Sequence, residues 1–255
     1  MMLRLAAWLV LGLLALPVVT IVVTSFNATS SFAFPPEQWS LRWYRNVFDT
    51  PVFGSGLVMS LWLAAASSMI GLVAGTMTAL AVVRYRFVGR GLVLSLVMAP
   101  LVVPEVVIGL SLLIWLQSVR WLSGNGAILL LHCLVVLPFV VRILVANLQR
   151  TDVNLEHAAM LLGANPVQAF VRVTLPTIAK GLAGALVFAL VMSFHNFTAT
   201  FFLVSTQQTL PVAIFQYIRT EHDPTIAALS TLLMVGAMVI VWVTDRLLGL
   251  ERVTK

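Results

Sequence analysis

The sequence predicts an all-α membrane protein with six transmembrane helices and both termini cytoplasmic. Three observations carry that expectation. Sixty per cent of the 255 residues are apolar and 9% are charged, against roughly 45–50% and 25% in soluble domains. Six windows reach the ~20 mostly apolar residues that a bilayer core demands: about 5–25, 57–82, 91–117, 127–147, 181–204 and 224–247. The basic residues also alternate between loops. Eleven fall on one side (Arg4, Arg84, Arg86, Arg90, Arg142, Arg150, Arg172, Lys180, Arg246, Arg252 and Lys255) and four on the other (Arg42, Arg45, Arg120 and Arg219). Cytoplasmic loops carry the excess of Lys and Arg, so the larger set marks that side. The net charge of +6 then belongs to topology rather than to nucleic acid. One domain is expected over 1–255.

The first window, 5–25, is longer than the ~7–15-residue apolar core of a signal peptide and lacks an A-x-A-like site, so an uncleaved helix is expected. After it, "SLRWYRNVF" offers Ser40 as an N-cap and an apolar face of Leu41, Tyr44, Val47 and Phe48. That pattern suits an amphipathic helix at the outer interface, as an aromatic anchor or as a docking element. Prolines 17, 100, 104 and 138 fall inside windows, where neighbouring helices can re-satisfy the freed backbone groups. Trp62, Trp115, Trp121 and Trp242 read as span and interface packing. "TLPVAIFQYIRTEHDP" predicts a second short outer helix with Pro211 in its first turn, and Asp223-Pro224 caps the last span.

The segment 148–180 lies on the basic side and is predicted to form a helix–turn–helix elbow. Leu155, Ala158, Ala159 and Leu162 recur at helical spacing, with Met160 and Leu161 outside that face. Gly163 fits a C′ position, where positive φ costs little. Asn165 and Pro166 suit the N-cap and first residue of a second helix, whose apolar side is Val167, Phe170, Val171 and Thr174, and Pro176 is expected to stop it. Apolar surface on a short helix outside the bilayer serves either a partner or the ends of the protein's own spans.

This segment resembles the EAA loop of permease subunits of bacterial ABC importers, with pattern E-A-A, three residues, Gly, nine residues, I-x-L-P. Here His157-Ala158-Ala159, Gly163 and Val173-Thr174-Leu175-Pro176 match that spacing. His157 stands where the motif has glutamate, with Glu156 one residue earlier, and Val173 stands for isoleucine. "SLRWYRNVF", "PLVVPEVVIGLSLL" and "LPVAIFQYIRTEHDPTIAALSTLL" look like the smaller permease of spermidine/putrescine-type importers. The resemblance implies a type I importer permease fold in the bacterial inner membrane. It also implies a coupling helix seated in a partner ATPase, assigning Glu156, His157, Ala158, Ala159, Met160, Leu161, Leu162, Gly163 and Pro176 to that contact. The expected partners are two ATP-binding subunits, a second homologous permease subunit and a periplasmic solute-binding protein. No cofactor is expected in this chain, because ATP and Mg would sit on the ATPase. No G-x-x-x-x-G-K-[ST] occurs in the sequence.

Glu105, in "VVPEVV", and His195, in "SFHNFTATFF", stand out as ionisable residues placed mid-span. An acid at the bilayer centre costs roughly 2.5–3.5 kcal/mol, so Glu105 should face the bundle interior or a water-filled path. It reads either as a substrate contact or as a structural acid beside Pro104. Ser193, Asn196 and Thr200 share a helical face that could line a path or bond neighbouring helices. His195 is either a satisfied core histidine or a substrate contact. Relatives of the polyamine type often carry acids where His195 and Asn196 stand. The solute implied by resemblance is a polyamine or related organic cation; an amino acid, a GABA-like amine, a metal or an oxyanion would use the same scaffold. An ATP-independent secondary transporter is the competing class, and no repeat or array of intramembrane charges supports it. An intramembrane enzyme lacks any nucleophile–base or metal-ligand constellation.

Overall fold

The apolar windows fold largely as helices, and one of them breaks at a proline. The computed structural model describes residues 2–30, 34–118, 124–203 and 207–248. The sequence-based readings of Arg120, Trp121, Arg252 and Lys255 fall outside the described residues. The described elements are helical apart from one isolated bridge between Asn27 and Trp39. They form two units, residues 55–212 and the paired chain ends 1–54 with 213–255.

In the middle unit, α3 (Pro51–Arg84) is followed by α4 (Arg90–Met98) and α5 (Glu105–Ser118), then by α6 (Asn125–Gln149). The span expected at 91–117 is not one helix. The chain bends by 103° between Arg90–Leu101 and Glu105–Ser118. Pro104 has no N–H to continue a helix and disfavours helical backbone at Val103, so the break falls between Leu101 and Glu105. Pro138, by contrast, is carried inside α6.

Beyond α6 come α7 (Asn154–Leu161), α8 (Pro166–Ala169), a π-helical turn at Phe170–Thr174, α9 (Leu175–Thr177) and α10 (Ala179–Phe194). Pro176 does not stop this run. The π register lets the Leu175 N–H reach the Phe170 carbonyl, and the helix passes through the proline to bend by 69° ahead of α10. The expected window 181–204 is also shorter than predicted. α10 ends at Phe194, and after a turn Thr200–Phe202 forms a 3₁₀ segment.

Helices in lipid gain little from hiding apolar surface, so close packing of small residues matters most. A Cβ on Gly71 or Gly75 of α3 would lie 2.9 Å from Val136 Cγ1 or 2.6 Å from Val140 Cγ1 of α6. Gly181 of α10 is equally tight, its Cβ position 2.5 Å from Asn147 Oδ1 of α6. Two apolar clusters follow from these approaches. One joins Met59, Leu63, Leu112, Leu131 and Ala199; the other joins Ala79, Val140, Leu144, Ile178 and Ala185.

In the second unit, α1 (Met2–Thr24) carries Pro17 and has none of its apolar window buried inside the protein. α2 (Arg42–Asp49) buries Trp43 and Val47, whereas Leu41 and Phe48 are exposed. The inward face is therefore rotated from the one expected. Trp43 Nε1 donates to the Asn27 carbonyl at 2.6 Å, which draws that ring inward. Ser40 Oγ accepts from the Arg42 N–H one position ahead of the assigned cap. α11 (Leu210–Thr220) has Pro211 in its first turn, as predicted, and α12 (Thr225–Leu248) starts where Asp223 Oδ1 accepts the Thr225 N–H at 2.9 Å.

Candidate functional site

The elbow forms as its residues dictate. Gly163 has φ +95°, and its N–H donates to the Met160 carbonyl while Ala164 N–H donates to the Ala159 carbonyl, closing α7. Asn165 and Gln168 make a reciprocal capping box: Gln168 N–H donates to Asn165 Oδ1 at 2.8 Å and Asn165 N–H to Gln168 Oε1 at 3.0 Å. Pro166 follows as the first helical residue.

α7 has two unlike sides. Leu155, His157, Ala158, Met160, Leu161 and Leu162 face solvent, with Leu161 at 88% and Leu162 at 89% exposure. Val167 and Val171 of the second limb are exposed as well. Of the face expected at Leu155, Ala158, Ala159 and Leu162, Ala159 is half-buried and the other three residues are exposed. On the other side, Glu156 Oε1 receives Arg84 Nη2 at 2.8 Å and the Thr174 hydroxyl at 2.6 Å. Pro176 is exposed on the same elbow.

Ser193, Asn196 and Thr200 are buried and meet around a residue the sequence reading passed over, His132 of α6. Asn196 Oδ1 faces the Thr200 N–H, which can only donate, and this fixes the amide orientation. The Thr200 hydroxyl, 2.8 Å from the same oxygen, must donate to it. Thr200 Oγ1 therefore accepts from His132 Nε2–H at 3.0 Å, leaving Nδ1 to accept the Ser193 hydroxyl at 2.7 Å. Ser67 of α3 donates to Ser193 at 2.9 Å. One directional chain, Ser67 to Ser193 to His132 to Thr200 to Asn196, ties α3, α6, α10 and the turn after it. The available signal was a histidine within the apolar run "ILLLHCLVV", which intramembrane cost alone marks as a candidate.

Glu105 opens α5 rather than sitting mid-helix, and it is partly exposed. A carboxylate there complements the positive end of the helix dipole. One turn later, Gly109 lets α5 lie against the turn after α10: an added Cβ would be 2.7 Å from the Ala199 carbonyl oxygen. His195 is exposed, with Nδ1 3.1 Å from the Val191 carbonyl oxygen, and does not join the His132 chain. His195 is therefore not part of this chain's own buried core. In the other unit, Asn46 Nδ2 donates to Thr225 Oγ1 at 2.8 Å, and the Tyr217 hydroxyl donates to Asp223 Oδ2 at 3.0 Å. Burial raises the pKa of Tyr217, in keeping with that donor role. Asn46, Tyr217 and Asp223 border an open cavity of about 690 Å³ that also takes in Arg42, Asp49 and Glu221.

The helices, breaks and elbow form the fold expected of an importer permease of the ABC class. The fold covers 96% of both chains, at TM-score 0.76 and 14% identity, in a comparison with the crystal structure of a bacterial ABC transporter involved in import of the acidic polysaccharide alginate. It covers 80% of this chain and 97% of the other, at TM-score 0.60 and 21% identity, for an amino acid ABC transporter crystallised with histidines. The family model for the binding-protein-dependent transport system inner membrane component matches residues 67–248, and this chain belongs to that family. It is 32% identical to the putrescine transport system permease protein PotI of Escherichia coli K12, over 88% of this chain and 82% of that one. It is 27% identical to the spermidine/putrescine permease PotC of the same strain, over 89% and 86%. The molybdenum transport permease ModB of Haemophilus influenzae is 32% identical over 65% of this chain and 80% of its own length. The protein is thus a non-enzymatic ABC importer permease subunit of the inner membrane. ATP hydrolysis lies in a separate subunit, and a solute-binding protein delivers the cargo.

Proposed function

We propose that this permease carries a polyamine or related organic cation by alternating access, driven by two ATPase subunits that grip the elbow. In this reading 1–255 is one permease domain with six spans and cytoplasmic ends, paired with a second homologous permease. ATP and Mg sit on the ATPases, and this chain holds no cofactor. The similarity to PotI and PotC over most of the chain carries the choice of solute. Glu105 supports it, since a carboxylate at a helix break suits an ammonium group better than an anion.

The elbow's exposed apolar side, Ala158, Met160, Leu161 and Leu162 with His157, is the proposed ATPase contact, and Gly163 sets its angle. Ser193, Asn196 and Thr200 face the His132 chain, which gives them a helix-joining role, while Glu105 and exposed His195 remain the proposed path groups. The similarity to ModB favours an oxyanion as the second reading. Uptake of labelled putrescine, spermidine and molybdate by proteoliposomes holding the whole transporter decides between them. Saturable putrescine or spermidine uptake that needs ATP and the binding protein supports the proposal. Molybdate uptake alone replaces it.

A further inference from the structure

We infer that Arg84, Glu156 and Thr174 form a clasp that carries the elbow's movement into α3, and that Glu156 is a positioning residue rather than an ATPase contact. The inference deepens the coupling role proposed above and rests on it. Arg84 is the last residue of α3, and its side chain is 12% exposed. Glu156 lies in the first turn of α7 with its side chain 20% exposed. Thr174 ends the π turn and is fully buried. One carboxylate oxygen takes both donors, at 2.8 and 2.6 Å, and so joins the end of α3 to both limbs of the elbow.

Geometry separates His157 from Glu156. His157 stands where the loop pattern has its glutamate, and it points outward beside Ala158, Leu161 and Leu162. Glu156, one residue earlier, is turned about 100° around the helix and faces inward. A partly buried charge-assisted bond is short and directional, so a shift of α7 cannot leave the end of α3 behind without breaking it. Arg84 Nε has no partner, which leaves the Glu156 contact as the guanidinium's sole described anchor. Breaking a buried pair from one side strands the other charge, so each single substitution should act strongly and the exchanged pair should recover.

The test uses the complete transporter in proteoliposomes, with solute uptake and ATP hydrolysis read on the same sample. Glu156→Gln, Arg84→Gln, Thr174→Val and the exchange Arg84→Glu with Glu156→Arg are compared. The unaltered chain must first co-purify with its ATPase; if it does not, the coupling role fails independently of the clasp. The single variants should keep the ATPase bound while solute moved per ATP falls roughly threefold to thirtyfold. The exchanged pair should restore at least part of that ratio. A merely structural contact would lower uptake and hydrolysis in proportion and leave the ratio unchanged, which overturns the clasp. Loss of ATPase from Glu156→Gln, without recovery in the exchange, would make Glu156 an ATPase contact. Thr174→Val keeps side-chain volume and both charges, so it reports on coupling even where the charge variants misfold.

Discussion

Gly163→Val changes one backbone angle and almost nothing else. Gly163 has φ +95°, and a Cβ built there meets no heavy atom within 4 Å. The cost is therefore conformational rather than steric. Left-handed backbone costs an L-residue about 1–2 kcal/mol, and a β-branched side chain lies at the upper end. A penalty of that size shifts a local equilibrium by a factor of about 5–30. The elbow angle should relax toward negative φ, turning Leu161 and Leu162 out of the contact proposed for them with the ATPase. In proteoliposomes with ATPase and binding protein, solute moved per ATP should fall by about 5–30-fold while the ATPase stays bound. Gly163→Asn should fall least, because asparagine tolerates this region, and Gly163→Ala should be intermediate. Equal coupling ratios for all three variants and the unaltered chain would refute the assignment.

His132→Leu leaves Ser193 and Thr200 facing an apolar group, so melting of the detergent-purified protein should show a loss of about 1–3 kcal/mol. Ser67→Ala, at the end of the same chain, should cost less than half as much. Gly75→Val drives a side chain into Val140, for a loss of about 1–3 kcal/mol, and adding Val140→Ala should recover part of it. Glu105→Gln should weaken uptake of a cationic solute while assembly with the ATPase stays intact; unchanged uptake returns Glu105 to a structural role.

Local chemistry was legible wherever it acts within a few residues. Gly163, Asn165-Pro166 and Asp223 do at their positions what their backbone preferences dictate. Breaks were harder to read, because a proline specifies only its own missing bond. Pro104 stands in the break just ahead of α5, Pro138 sits inside α6, and Pro176 follows a π turn in a run that continues through it. Partnerships across the bundle were least legible. The His132 chain spans 126 residues from Ser67 to Ser193, and the Arg84–Glu156 pair spans 72. No periodicity encodes either one. Glu156 illustrates the limit: its place one residue ahead of the motif's glutamate position was plain from spacing, but its direction was not.

The most direct measurement of the coupling role places a photo-crosslinking phenylalanine analogue at Leu161, 88% exposed, with Phe48, 78% exposed, as the control position. In the complete transporter, the probe at 161 should join to the ATPase subunit and the probe at 48 should not. Adducts at 161 confined to this chain or to lipid would contradict the account.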